Sequence, residues 1–252
     1  MQVVVCVKQI PDPAGTQSLD PETHNLVRPD DQVLDDTDRY GVEMGLQIAQ
    51  EKGGTVTLVS MGPAGSMQGI RQALAMGADR AVVVDDPALK GADALTTARI
   101  LAAAIGRTGY DLVIAGTEST DGYSGVLPQM VAEFLDAPAL TYATRVTAGD
   151  GKVSIDRQTN TGYEVVEADL PAVVSVTAGV VEPRYPTFKG IMDAKKKEVE
   201  NLTASDLGVE ISVLQSVTAV EPAPEREAGV KIEDDGTAHL KIVELLEQKK
   251  VI

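Results

Sequence analysis

Residues 111–138 read DLVIAGTESTDGYSGVLPQMVAEFLDAP. Asp111 to Ala115 is a short, almost continuous apolar run, the pattern of a strand buried on both faces. It enters a loop punctuated by Gly116, Gly122 and Gly125, then a helix from Leu127 to Leu135 with Met130 and Phe134 one turn apart. Pro128 suits the first helical turn, where a missing N–H costs little. Small loop residues let backbone N–H groups approach a phosphate, and the helix dipole favours the anion. This is the strand–loop–helix position at which open α/β sheets bind nucleotides. The alternative is a tight turn that binds nothing. The patterns GxxxxGK[ST] and GxGxxG are both missing. The loop has no Lys or Arg, but it has Glu118 and Asp121. A triphosphate with its magnesium normally wants a lysine, so this loop fits a nucleotide of low charge such as a monophosphate. Asp121 then has two readings, a hydrogen bond to a ribose or a turn cap.

The same rhythm extends outward from this segment. Strands are expected at Gln2–Val7, Thr55–Ser60 and Ala81–Val84, and helices at Thr37–Lys52, Ser66–Met76 and Ala92–Ile105, closed by Gly53-Gly54, Gly77 and Gly106. Alternation of apolar strands with helices indicates a doubly wound, mostly parallel α/β sheet covered on both faces. Residues 11–34 are polar and read as a long loop or a small hairpin, and a loop of that length is usually functional. After Pro138 the rhythm changes. Thr141–Thr147, Val153–Arg157, Tyr163–Glu167 and Ala172–Val176 read as antiparallel strands added to the sheet. Val220–Gly229, rich in Pro and Glu, reads as an extended linker. Thr237–Gln248, with Leu240, Val243, Leu245 and Leu246, reads as an amphipathic helix. It packs either on its own domain or on something else. The division that follows is 1–218 for the α/β domain and 219–252 for a C-terminal arm.

Composition narrows the function. The chain has 252 residues with 43% hydrophobic, so it can bury a substantial core. A net charge of −16 argues against nucleic acid, whose phosphates need a basic face. Lys195, Lys196 and Lys197 form one basic cluster in an otherwise acidic chain. The single cysteine, Cys6, excludes an internal disulfide and a thiolate metal cluster, and a cytoplasmic location fits. No run of about 18 apolar residues is present, so no membrane insertion is expected. The start, MQVVVCVKQIPD, lacks a basic n-region and reads as a first strand, not a signal peptide. His24 and His239 read as surface residues, and Ser119, Ser124 and Cys6 lack a His/Asp pattern that would make a nucleophile. Asp35, Asp36 and Asp38 are a possible cation group, though Asp35 or Asp36 reads better as the cap of the following helix. With no defensible acid/base pair, binding is expected and catalysis is not.

Over essentially its whole length the chain resembles the beta subunit of electron-transfer flavoproteins. The segments that carry the resemblance are VCVKQIPDP at 5–13, SMGPAGSMQGIRQALAMGADRAV from Ser60, STDGYSGVLPQMVAEFLDAP from Ser119, DLPAVVSVTAGVVEPRYPTFKGIMDAKKKEVE from Asp169, and DLGVE from Asp206. The stretch EPRYPTFKGIMDAKKK is the most specific of these. Arg157, Glu164, Val166 and Pro171 to Ser175 match a family signature, while Asn160 and Thr161 stand where acidic residues are usual. The resemblance implies an adenine-nucleotide α-hydrolase-like fold and a heterodimer with a larger alpha subunit. FAD then sits mainly on alpha, and a structural AMP sits on this subunit. Carried over residue by residue, AMP would meet Cys6, Asp35, Asp36, Thr37 and Asp38, Met61, and the loop from Gly116 to Leu127. That loop includes Thr117, Asp121 and Gly122, with Ser124, Gly125, Val126 and Leu127 giving phosphate N–H groups.

Residues 176–198 match the family's recognition loop, which grips acyl-CoA and related dehydrogenases. Electrons pass on to a membrane quinone oxidoreductase, in the service of fatty acid oxidation. Phe188 stands at the anchor position, where relatives commonly have Leu, and Arg184, Tyr185, Ile191, Met192, Lys195 and Lys196 surround it. Without the resemblance, Phe188 would read as core and the lysines as a solvated helix face. Pro13 and Thr37 occupy places where some relatives bring an aromatic toward the flavin. Two other functions fit the same fold: a bifurcating relative with a second FAD in place of AMP, or an ATP-binding α-hydrolase-like enzyme. A lone beta subunit is expected to expose apolar surface and self-associate.

Overall fold

The computed structural model describes residues 1–221, 224 and 228–252. Two compact units make up the chain, Met1–Thr218 and Ala219–Ile252. The first contains β1 (Gln2–Cys6), β2 (Gln9–Ile10), β3 (Val33–Leu34), α1 (Asp36–Lys52), β4 (Thr55–Met61), α2 (Gln68–Met76), β5 (Arg80–Val84) and α3 (Ala94–Thr108). It continues with β6 (Leu112–Gly116), α4 (Leu127–Phe134), β7 (Ala139–Gly149), β8 (Lys152–Thr159), β9 (Gly162–Asp169), β10 (Ala172–Val176), α5 (Phe188–Ala194) and β11 (Val199–Leu202). The second carries α6 (Ala238–Gln248), none of whose residues is buried. Leu240, Ile242, Val243 and Leu245 are exposed on it. Part of the expected linker, residues 222, 223 and 225–227, lies outside the described residues.

One nine-stranded sheet runs β11-β5-β4-β1-β6-β10-β7-β8-β9, parallel from β11 to β7 and antiparallel from β7 to β9. The chain winds outward from β1 through β4 to β5, then crosses back to lay β6 on the other side of β1. That reversal opens a crevice beyond the carboxyl ends of β1 and β6, the switch point where doubly wound sheets take ligands. Side chains alternate between the faces of each strand. Val3 and Val5 join one core with Val42, Leu46, Ile70 and Leu74 of α1 and α2. Val4 and Cys6 join the other with Ile100, Leu101 and Val131 of α3 and α4. Gly45 lets α1 lie close on β1, since a Cβ there would stand 2.9 Å from Val5 Cγ2. The middle of α1 is thereby held against β1, and the Lys8 amide, donating to Asp38, ties the first turn of the helix to the chain leaving β1.

Several expectations need correction. Ala172–Val176 is not an antiparallel addition. It pairs in parallel with both β6 and β7, inside the sheet. Its five residues are all buried, as an inner strand requires. α2 starts at Gln68 and not Ser66, because Met67 adopts a left-handed conformation and the Ser66 hydroxyl bonds the Asp30 carbonyl. α3 runs Ala94–Thr108, passing through Gly106 and ending at Gly109. A strand not expected from the sequence, β11, pairs with β5 at the sheet edge. The polar segment 11–34 is framed by the β2–β3 pair and bridged at Leu19 and Leu26.

Candidate functional site

At the switch point, Asp35 is completely buried and divides its two oxygens between two elements. Oδ1 accepts from the Thr37 amide (3.1 Å) and hydroxyl (2.9 Å), capping α1. Oδ2 accepts from the Thr120 amide (2.7 Å) and hydroxyl (3.1 Å), which fastens the loop after β6. The Thr37 hydroxyl also reaches the Glu118 carbonyl at 3.2 Å. Asp38, one turn along, is buried and accepts from the Lys8 amide at 2.7 Å. Burial, then the Asp35 carboxylate, hold the Asp38 carboxyl well above the usual carboxylate range. The Cys6 thiol, buried beside it, is pushed up to about 12 by burial and then by Asp38, so it packs as an inert hydrophobe. Asp36 points elsewhere: its carboxylate is exposed and pairs with Arg39 at 3.5 Å.

The loop itself carries no cation, but the fold supplies two. Lys8 Nζ donates to Asp121 Oδ1 at 2.6 Å, and an Arg28 guanidinium nitrogen donates to Asp121 Oδ2. The Asp121 side chain is almost fully buried. Burial pushes its carboxyl upward, but Lys8 and Arg28 more than offset this and hold it below the usual range. The sequence gives Asp121 two readings, ribose ligand and turn cap, and in the structure its carboxylate carries this double ion pair. Lys8 and Arg28 lie 113 and 93 residues from Asp121, and no local pattern joins them.

Gly116 ends β6 against α1, where a Cβ would come 3.1 Å from an Asp38 oxygen and 3.3 Å from the Thr37 hydroxyl. Gly122 and Tyr123 close a turn onto the Ser119 carbonyl. Gly125 has φ +63°, the left-handed region that favours glycine. α4 then begins without a side-chain cap at Val126 and with Pro128 in its first turn. Its leading N–H groups are thus open to an anion as far as side-chain capping is concerned. Beneath it, Cys6, Ala115, Leu127 and Val131 line a small apolar crevice. Met61 ends β4, two strands from β6. Thr117 and Ser124 lie in the same β6–α4 connection. The structure therefore brings together the ends of β1 and β6, the start of α1 and the loop, with Asp36 turned away.

The second candidate surface is built differently. Tyr185, Phe188, Ile191 and Met192 are all exposed, with Phe188 at 82%. This excludes the core reading of Phe188. Thr187 caps α5 by accepting from the Gly190 amide at 3.0 Å. Arg184 reaches inward, donating to both oxygens of the nearly buried Glu43 carboxylate at 2.6 and 2.9 Å. Lys195 and Lys196 are exposed, whereas Lys197 donates to the Leu74 and Ala78 carbonyls at 3.0 and 2.6 Å. The sequence did not single out Lys8, Arg28, Glu43 or Thr120, each of which acts through a partner distant in the chain. Among the described residues, no helix is long and apolar enough to cross a membrane, and no group of three His, Cys, Asp or Glu side chains is placed to hold a metal ion.

A mostly parallel sheet wound in both directions from β1, with helices on both faces, defines an open, doubly wound α/β protein. The comparisons narrow this further. The family model described as "Electron transfer flavoprotein domain" matches residues 23–207. A protein of Mycobacterium leprae (strain TN) named "Electron transfer flavoprotein subunit beta" is 41% identical over 99% of both chains. Those of the same name from Megasphaera elsdenii and Bos taurus are 32% identical over 100% of both chains and 42% identical over 74% of both chains. The chain belongs to the electron transfer flavoprotein beta-subunit family.

Proposed function

We propose that this chain is the nucleotide-holding subunit of a heterodimeric electron carrier. It holds one AMP in the loop from Gly116 to Leu127 and pairs with an alpha subunit that bears the FAD. Through residues 176–198 it docks acyl-CoA and related dehydrogenases in fatty acid oxidation. Electrons leave for a membrane quinone oxidoreductase, and the whole acts in the cytoplasm. No residue of this subunit makes or breaks a substrate bond, so its work is binding and not enzyme catalysis. The flavin, when bound, supplies the electron chemistry. The residues here hold the nucleotide, brace the fold and present the docking face. The amphipathic α6 and its linker are read as an arm that packs on the alpha subunit, which accords with its exposed Leu240, Val243 and Leu245.

The observation that carries the AMP reading is how the cations near the loop are engaged. The two cations brought to it, Lys8 and Arg28, are both bonded to Asp121, and the α4 start has no side-chain cap. A monophosphate held by backbone N–H groups needs no further cation, whereas a triphosphate with its magnesium normally wants a lysine aimed at it. Gly125→Asp tests this. A carboxylate there would stand beside Glu118, whose Oε2 lies 3.4 Å from the Cβ position, and would repel a phosphate. The purified complex is expected to keep its flavin and lose most of its AMP. AMP at wild-type content would refute the site.

A further inference from the structure

The docking segment is suspended between two anchors, and one of them is α1. Arg184 and Tyr185 both meet residues of that helix one turn apart. The Arg184 guanidinium forms a two-pronged pair with Glu43, whose Oε2 also takes the Arg184 backbone N–H at 3.2 Å. Gln47 donates to Glu43 Oε1 at 2.8 Å, and Gln50 accepts from the same guanidinium at 3.2 Å. The Arg39 guanidinium lies over the Tyr185 ring, 5.8 Å from its centroid. Residues 39 and 43 share one face of a helix, so the two contacts form a single clamp. The far end of the segment is held by α2, where Arg71 donates to the Ala194 and Lys197 carbonyls at 2.6 and 3.1 Å. Phe188 stands exposed between these anchors.

We propose that Glu43, seconded by Arg39, is a positioning residue for the docking segment: it fixes the angle at which Phe188 and its neighbours meet a partner. This rests on the docking role of residues 176–198 proposed above. A planar guanidinium gripping both oxygens of a carboxylate sets orientation as well as distance, which a single bond cannot. Each charge also favours the other's ionised form. Burial raises the Glu43 carboxyl, but the Arg184 and Gln47 hydrogen bonds bring it below the ordinary glutamate range, and Glu43 raises Arg184 in turn. The same helix begins at Asp35 and Asp38 in the nucleotide crevice, so a single rigid bar braces both surfaces.

The test uses Glu43→Gln in the complete complex, with Phe188→Ala beside it, and an acyl-CoA dehydrogenase charged with octanoyl-CoA as electron donor. Glu43→Gln keeps the shape and removes the charge. Hydrogen exchange across residues 182–188 is expected to quicken, and the KM of the dehydrogenase for the complex to rise about tenfold. kcat should stay within about twofold, and Glu43→Asp should restore part of the loss. Arg184→Lys, which leaves the helix untouched and breaks the two-pronged grip, should repeat the effect and serves if Glu43→Gln does not assemble. Unchanged exchange, or faster exchange with unchanged KM while Phe188→Ala still raises KM, would overturn the positioning role. If Phe188→Ala also leaves KM unchanged, the docking role of the segment fails, and the proposal falls with it.

Discussion

Replacing Asp35 by alanine should damage the crevice more than loss of an ordinary helix cap. The side chain is wholly buried and satisfies two backbone donors from different elements, the Thr37 amide at 3.1 Å and the Thr120 amide at 2.7 Å. Losing the cap alone costs about 1 kcal/mol. Stranding the Thr120 N–H adds about 1–3 kcal/mol. The two threonine hydroxyls can turn to other acceptors, as Thr37 already does toward the Glu118 carbonyl at 3.2 Å, so they add little. The total, about 2–4 kcal/mol, corresponds to a fall in Tm of about 4–16 °C for a chain of this size. Asp35→Asn, which keeps one accepting oxygen, should fall between the two. Thermal unfolding gives the first number. Hydrogen exchange at Thr120 gives the second, since its amide should lose protection in Asp35→Ala while amides of β5 keep theirs. A change in Tm smaller than about 1 °C, on the same scale, with Thr120 still protected, would refute the idea that Asp35 ties the loop to α1.

Three further outcomes follow from the same geometry. Asp38 has a folded-state pKa raised above its unfolded one, so its contribution is fully present below the unfolded value and is lost as pH rises through the folded one. Asp38→Asn, which still accepts from the Lys8 amide, should therefore gain on the wild type as pH climbs above about 4, and parallel pH–stability curves would contradict this. Asp121 behaves oppositely, since its folded-state pKa is lowered. Its contribution is present above the unfolded value and fades as pH falls through the folded one. Denaturant titration should thus find Asp121→Asn about 1–2 kcal/mol less stable near neutrality, after allowance for the partly exposed Lys8 and Arg28. That gap should close in acid. Gly190→Ala places a Cβ 2.5 Å from the Ala75 carbonyl oxygen and should push α5 off α2 at a cost of about 1–3 kcal/mol. Exchange at residues 190–197 should quicken, and unchanged protection there would show that α5 is held otherwise.

How much of this was legible in the sequence depended on whether the deciding contact was local. The strand–helix alternation from Gln2 to Phe134 is written in apolar runs and glycine stops, and the structure keeps it with ends moved by a few residues. Strand direction is not local. Ala172–Val176 has the same apolar look in a parallel inner place as in an antiparallel one, and only its partners β6 and β7 decide. β11 has four residues and a single buried one, too little pattern to read. In the crevice, glycine spacing and Pro128 marked the loop, and Asp35 was readable as a cap because its acceptor role lies two residues away. Its second grip, on Thr120, spans 85 residues. The ion pairs of Lys8 and Arg28 with Asp121, and of Glu43 with Arg184 across 141 residues, are likewise products of the fold. A loop without lysine in the sequence therefore became a site with two cations, both bonded to Asp121. Phe188 was ambiguous because an aromatic in a helical stretch reads as core, and only its exposure resolves that.

The most direct measurement is the nucleotide content of the native complex. The chain would be co-expressed with its alpha partner, the purified complex denatured, and the released nucleotides separated by chromatography and weighed by mass spectrometry. One FAD and one AMP per heterodimer is the result expected of an AMP-holding beta subunit beside a flavin-bearing alpha subunit. Two FAD and no AMP would contradict the AMP assignment and give the loop from Gly116 to Leu127 to a flavin, as in a bifurcating carrier. FAD alone, at one per heterodimer, would remove the nucleotide from this subunit altogether.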